Sequence, residues 1–372
     1  MTSKIDNCQP AIGAKLLLVI LFLFAFGQAQ IALAYDWNND YGANVTVSVD
    51  DNYRLAREDE IDNTSTRLRL FTDVEGRTEI SSIRLTLSVS GEDHSESSID
   101  AQEGYNLALN TSRTGERLSS FLNVAFDSDL TNETELLDTG VIEDGTRDTV
   151  SVSPGLSYQL NERNSLSGNL SFQDVSYDTE SQIDYTNNSF VLSWSYRLDE
   201  SSQLYTSLRS SVYEPEDDDE TDTNTFSLGY LLQSSEATAY NFSIGYTDVD
   251  RPRDSESGGN FLFEADHRTD ERNSFTLLLS NSFEDSGQGE VREENNLALG
   301  WANGFSERSQ FTLSADAVST DERDYYSVEA GFNYNYSREI NLSTSYRYRE
   351  RDEGAGAADS STVSFSLSYS PI

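Results

Sequence analysis

Few side chains in this sequence are suited to covalent or acid–base chemistry. There are two histidines, one cysteine and one methionine in 372 residues. His94 lies in GEDHSE, with Asp93 beside it, and His267 lies in ADHRTD. Adjacency in sequence does not build a nucleophile–base–carboxylate relay, which needs three groups converging in space. His94 is therefore the one candidate for a catalytic test, and the expectation is a protein that is not an enzyme. No His/Cys cluster has zinc-like spacing, so no metal site is expected. The acidic run EPEDDDETDT (Glu214 to Thr223) offers carboxylate oxygens. Because it lacks the D-x-[DN]-x-[DN]-G spacing of a calcium loop, it predicts only loose Ca²⁺ or Mg²⁺ association and no cofactor.

The arginines are the more informative chemistry. Arg67 and Arg69 alternate with Leu68 and Leu70, Arg84 precedes Leu85, and Arg347 and Arg349 alternate with Tyr346 and Tyr348. Alternation of this kind puts the five guanidiniums on the polar face of extended segments. A tight turn at Glu75 to Arg77 would set Arg69 across from Arg84. Pairing about Ser337 to Glu339 would set Glu329 opposite Arg347 as a cross-strand ion pair.

The elements that would carry these residues are strands. Ala43 to Val49 reads ANVTVSV, with Val45, Val47 and Val49 on one face and Asn44, Thr46 and Ser48 on the other. About 18 such runs of about 9–13 residues follow one another, near the length that crosses a bilayer at a tilt; a count of about 16 is the alternative. They centre near residues 46, 69, 85, 108, 122, 154, 170, 192, 208, 228, 243, 263, 279, 299, 314, 331, 345 and 366. No stretch of helical period appears among them. Short connections alternate with mostly longer, acidic ones. A charged knot recurs before the strands, in LNERNSLSGNLSF, LDESSQLYTSL, TDERNSFTLLL, FSERSQFTLSA and YSREINLSTSY.

The polar face is Ser, Thr, Asn and Gly, unlike the charged exterior of a soluble β-sandwich. Tyr158, Tyr196, Tyr246, Trp301, Tyr336, Tyr348 and Tyr369 recur near strand ends, where interface girdles sit. Together these features predict an all-β, transmembrane, antiparallel up-and-down barrel. Its apolar face would meet lipid, its turns the periplasm and its acidic loops the exterior.

The N-terminus fits that location. Lys4 and Lys15 precede the apolar run Leu16 to Gly27, and Ala32-Leu33-Ala34 follows. This is the pattern of a secretory signal peptide over residues 1–34, leaving 35–372 as one barrel domain. Cleavage removes Cys8 and both lysines, so every basic residue left is an arginine. Loss of Lys4, Lys15 and Asp6 takes the formal charge from −40 to −41. Such a chain is repelled by nucleic-acid phosphates.

Across residues 35–372 the sequence resembles bacterial outer-membrane β-barrel proteins of the porin kind, in its leader, its alternating strands and its C-terminal run VSFSLSYSPI. The family's last strand usually ends in an aromatic residue read by the barrel insertion machinery; here Tyr369 is followed by Ser370-Pro371-Ile372. The resemblance implies an outer-membrane location in a Gram-negative bacterium, with lipid and lipopolysaccharide as surroundings. It also implies a channel for passive diffusion of small hydrophilic solutes through a Ser/Asn/Thr-lined lumen with a basic stripe. General porins fold their third external loop inward against a wall of arginines. The corresponding loop, Ser128 to Arg147, carries Asp129, Glu133, Glu135, Asp138, Glu143 and Asp144. By resemblance it narrows the pore, and it fits a solvated external position equally. The SER-x-S turns are similar to those of barrels linked to exopolysaccharide and exosortase systems. That likeness implies an accessory of polysaccharide export with periplasmic partners, for which Tyr205, Tyr213 and Tyr325 would be the stacking platforms. A structural or adhesive barrel without an open pore is the remaining alternative.

Overall fold

The computed structural model describes residues 35–371, apart from 131–144 and the loop positions 180, 217–218, 253–254, 286–287, 289 and 354–355. The proposed leader and most of the loop expected to narrow the pore lie outside the described residues. Every regular element among the described residues is a strand. In chain order these are β1 (Asp36–Asp50), β2 (Asn63–Arg77), β3 (Ser81–His94), β4 (Gln102–Thr114), β5 (Leu118–Leu130), β6 (Thr146–Gln159), β7 (Asn164–Tyr177), β8 (Tyr185–Arg197) and β9 (Ser202–Pro215). The second half comprises β10 (Thr221–Ser235), β11 (Thr238–Asp250), β12 (Ser255–Arg268), β13 (Asn273–Asp285), β14 (Val291–Ser306), β15 (Ser309–Ser319), β16 (Asp324–Asn335), β17 (Ile340–Asp352) and β18 (Ala357–Tyr369). Each pairs antiparallel with its neighbours in sequence, and β1 pairs with β18, closing an 18-stranded barrel.

Directly paired residues share a face, so the register sorts every side chain. Val45, Leu68, Leu228, Ile244 and Phe365 fall on the outer face, where Leu228 is 50% exposed and Phe365 59%. The serines and threonines between them face the lumen. This arrangement inverts that of a soluble protein: the apolar belt is outside, and the small polar residues are inside. Aromatic rings crowd the outer face at the short-turn end. Trp194 stacks with Tyr196, Tyr240 with Phe263, and Phe275 with Trp301, which also meets Phe311 edge-on.

The recurring charged knot proves to be a turn device. In Asn161–Asn164 the Asn161 side chain accepts from the backbone N–H of Arg163 and Asn164, both at 3.0 Å. Asp270 accepts from Arg272 N–H at 2.7 Å and Asn273 N–H at 2.9 Å. Ser337 does the same for Glu339 and Ile340. A side-chain oxygen thus satisfies the two amides that a tight reversal leaves unpaired.

That chemistry corrects one expected turn. Reversal between β2 and β3 occurs at Thr78 to Ser81, not at Glu75 to Arg77, because Thr78 Oγ1 accepts from the Ser81 amide at 2.9 Å. Arg69 therefore pairs with Ser90, and Arg84 with Glu75. The displacement along β3 is even, so inward residues stay inward. Most strands also extend further into the acidic segments than their alternation indicates. The contrast between long loops and short turns is consequently strong only over the first four loops.

The Asp270 carboxyl is held below the usual carboxylate range, first by the Arg272 amide and then by Asn273. Its contribution is present above the unfolded carboxyl value and is lost as pH falls through the lower folded one. In urea titrations followed by tryptophan fluorescence, Asp270→Ala should unfold earlier than wild type near neutral pH. The gap between the two midpoints should shrink in strong acid.

Candidate functional site

The lumen wall is built from the inward half of each strand. At the seam it is a ladder of amides and hydroxyls. Asn44 Nδ2 donates to Ser366 and Ser368 at 2.7 Å, and Ser48 and Ser364 lie 2.9 Å apart. The ladder ends on Asp50, which accepts from Ser360 at 2.7 Å and Thr362 at 2.6 Å. Ser153–Ser171 and Thr225–Thr247 continue the pattern elsewhere in the wall.

All five expected arginines point inward around this seam, and the structure sets four of them against carboxylates. Arg67 Nε donates to Glu92 at 2.6 Å from the directly paired position on β3. Arg84 donates to Asp73 at 2.7 Å, one step diagonal to its partner Glu75. Glu329 stands opposite Arg347, and their side chains meet at 2.7 Å. Arg349 reaches across β18 to Asp50 at 2.8 Å. Arg69 donates to Ser88 Oγ at 3.1 Å. The charges alternate in sign along the wall, so the patch is a set of local ion pairs and not a uniform basic stripe.

The sequence reading passed over Arg209. It faces the lumen from β9, level with Val191 and Thr225, on the wall opposite the seam, and is exposed. The alternation Gln203, Tyr205, Ser207, Arg209, Ser211 was the available signal. Beside it, Tyr205 lies across Gly229 of β10, so closely that a Cβ there would meet its ring. Its hydroxyl donates to Asn241 at 2.9 Å, and Asn241 donates to Glu264 at 2.7 Å.

Two elements fold into the mouth at the long-loop end. The segment between β1 and β2 places Leu55, fully buried, on inward Val318, Tyr325 and Ala358. Asn52 ties that segment down, donating to Ala56 O at 2.8 Å and Asp359 O at 2.9 Å. Leu55 and Asp59 have φ of 47° and 58°, a left-handed backbone that costs non-glycine residues about 1–3 kcal/mol. Packing and the Asn52 bonds offset that strain. On the other side, the β13–β14 tip extends beyond its pairing with β12 and β15. It packs Phe283 and Val291 against inward Val175, Tyr185, Tyr213 and Val249. Tyr213 and Tyr325, two of the three tyrosines expected as stacking platforms, are consumed in these clusters, at 1% and 7% exposure.

Beneath the β1–β2 segment lies a cavity of about 750 Å³ against β1–β3 and β14–β18. Arg67, Arg347 and Arg349 line it with Asp50, Glu92, Asp316 and Glu329, and Tyr53 reaches it from the β1–β2 segment.

Of the loop expected to narrow the pore, Glu133, Glu135, Asp138, Glu143 and Asp144 fall outside the described residues. Asp129 is exposed on the inward face of β5, opposite Arg147. Arg147 donates to Tyr185 OH at 2.9 Å. His94 is the last residue of β3; its Nδ1 lies 2.9 Å from Asn63 Nδ2, and its ring meets Tyr53 edge-on. His267 Nδ1 lies 2.9 Å from Thr238 Oγ1. Among the described residues no group of three or more His, Cys, Asp or Glu converges to hold a metal.

If Leu55 is what seats the β1–β2 segment, truncating it should release the segment. Leu55→Ala removes about 2 kcal/mol or more of packing, which is a roughly thirtyfold larger open population. Limited trypsin digestion should then cut at Arg54 and Arg57 faster by a similar factor, since cleavage follows the open population. An unchanged cleavage rate would rule out the anchoring role.

No family model matches the sequence, and no curated protein does. Solved structures do match in shape. A BenF-like porin from Pseudomonas fluorescens Pf-5 superposes with a TM-score of 0.55 at 10% identity, over 90% of this chain and 99% of that one. OccK2 (OpdF) of Pseudomonas aeruginosa, in complex with glucuronate, gives 0.53 at 11% identity, over 90% and 98%. The outer-membrane protein opdK of Pseudomonas aeruginosa gives 0.50 at 12% identity, over 90% and 98%. The chain has the fold of these porin barrels.

Proposed function

We propose that this protein is an outer-membrane channel of a Gram-negative bacterium, passing small hydrophilic solutes by diffusion. The observation that carries the reading is the inverted barrel. A closed wall with a continuous exposed apolar exterior is unstable in water and suited to lipid, and its interior is hydroxyl-lined. Barrels of this strand number are wide enough to leave an aqueous passage. The porin fold of the structural neighbours supports the same reading, and a channel needs no catalytic group. Lipid, lipopolysaccharide and the insertion machinery are the partners such a barrel requires. Burial of Tyr213 and Tyr325 argues against a stacking route for polysaccharide.

Within the lumen, Arg67, Arg69, Arg84, Arg347 and Arg349 shape the local field together with their carboxylates. The 128–147 loop is proposed as a further narrowing element.

Reconstitution of residues 35–372 in a planar bilayer should give discrete conductance steps, and a silent barrel would end the channel reading. Replacing Arg67, Arg69 and Arg84 by Ser leaves Glu92 and Asp73 without their counter-charges, so selectivity should move toward cations in reversal-potential measurements. Deleting residues 130–144 should alter single-channel conductance if that loop narrows the pore.

A further inference from the structure

The cavity beneath the β1–β2 segment contains one carboxylate, Asp316, that forms no ion pair with the wall among the described residues. Asp316 faces the lumen from β15, between Ala298 of β14 and Ser327 of β16. It has no hydrogen-bond or ion-pair partner among the described residues. The three guanidiniums sharing the cavity are committed to Glu92, Glu329 and Asp50. An anionic solute entering there finds no free cation and meets four carboxylates. A cationic solute finds one carboxylate that no side chain among the described residues hydrogen-bonds, with Arg347, bonded to Glu329, acting on it only through its field.

The rest of the lining narrows the class further. Ser327 stands directly across from Asp316 and Ser314 two residues along β15 on the same face, and Thr312 and Ser345 continue the hydroxyl lining toward the short-turn end, all of them groups that both donate and accept. Tyr53 adds an aromatic ring in the roof, a surface favourable to ammonium. A bare inorganic cation would also take oxygen ligands from the carboxylate and the hydroxyls, and only the ring would be idle.

We propose that this cavity is a binding station for small hydroxylated amines. The ammonium sits on Asp316, and the solute's hydroxyls exchange hydrogen bonds with the Ser/Thr wall. The proposal rests on the lumen being the solute path, and it predicts a preference opposite in charge to that of a carboxylate-binding pore.

Equilibrium dialysis tests it without requiring conduction. The full chain, folded in detergent, is dialysed against labelled D-glucosamine, D-glucose or D-glucuronate. Glucosamine should bind at least about tenfold tighter than the other two, the worth of one charge-assisted contact. Asp316→Asn and Asp316→Ser should each abolish that margin, and Asp266→Asn, which alters an exposed inward carboxylate on β12, should keep it. Equal or tighter binding of glucuronate, a margin that survives both Asp316 variants, or displacement of glucosamine by equimolar Ca²⁺ would overturn the assignment. The wild-type ranking alone decides if either variant misfolds. Failure of the channel reading is scored separately, by absent conductance.

Discussion

The ladder between β1 and β18 is the contact on which the rest of the structure depends. In hydrocarbon, an open sheet edge leaves a row of amides and carbonyls without water, at several kcal/mol per group. Pairing from Ala43–Tyr369 to Asp50–Thr362 removes both edges at once. Gly42 sits at the end of that ladder, where a Cβ would collide with the Tyr369 carbonyl and the Phe71 ring. The other end terminates on Asp50, which also accepts from the Asn52 amide at 2.9 Å and pairs with Arg349. One carboxylate thus joins barrel closure, the inward fold of the β1–β2 segment and the wall of the cavity.

Electrostatics inside the barrel follow from the same geometry. A guanidinium in a partly desolvated lumen requires acceptors, and the pleat offers the nearest of them at direct or diagonal cross-strand positions. Arg67, Arg84 and Arg347 find theirs on an adjacent strand, and Arg349 finds its on the strand beyond. Four of the five arginines thus form short dipoles along the wall, whose fields fall off faster than that of a free charge. Under the channel reading, a solute responds more to the groups without an ion-pair partner among the described residues, Asp316 and Arg69 near the seam and Arg209 across the lumen, than to the number of arginines.

Period-two alternation makes the architecture legible in the sequence. All eighteen expected centres lie within the observed strands, and the inward serines, the five arginines and the Glu329–Arg347 register follow from parity alone. Failures occurred where parity carries no information. The β2–β3 turn depended on whether Gly76 or Thr78 nucleated reversal; Thr78 does so, and Gly76 instead accommodates the rings of Trp37 and Tyr35. The ion pairs of Arg67 and Arg84 then escaped notice because they depend on that register. The inward fold of the β1–β2 and β13–β14 segments is long-range packing, which no local pattern encodes.

Even so, one trace of those inward folds is present in the sequence. Lumen-facing positions are overwhelmingly small and polar, yet Val175, Tyr185, Tyr213 and Val249 break that rule on one side of the mouth. Val318, Tyr325 and Ala358 break it on the other. All seven lie near the long-loop ends of their strands. An apolar residue on a water-facing wall is costly unless something covers it. In a barrel of alternating strands, a cluster of such residues at one rim therefore marks where a loop comes to rest. The seven also divide by wall, β7 to β11 against β15 to β18, and each set receives a different segment. These exceptions to the repeat locate the segments that fold into the lumen, just as Asp316, without an ion-pair partner among the described residues, locates the proposed chemistry.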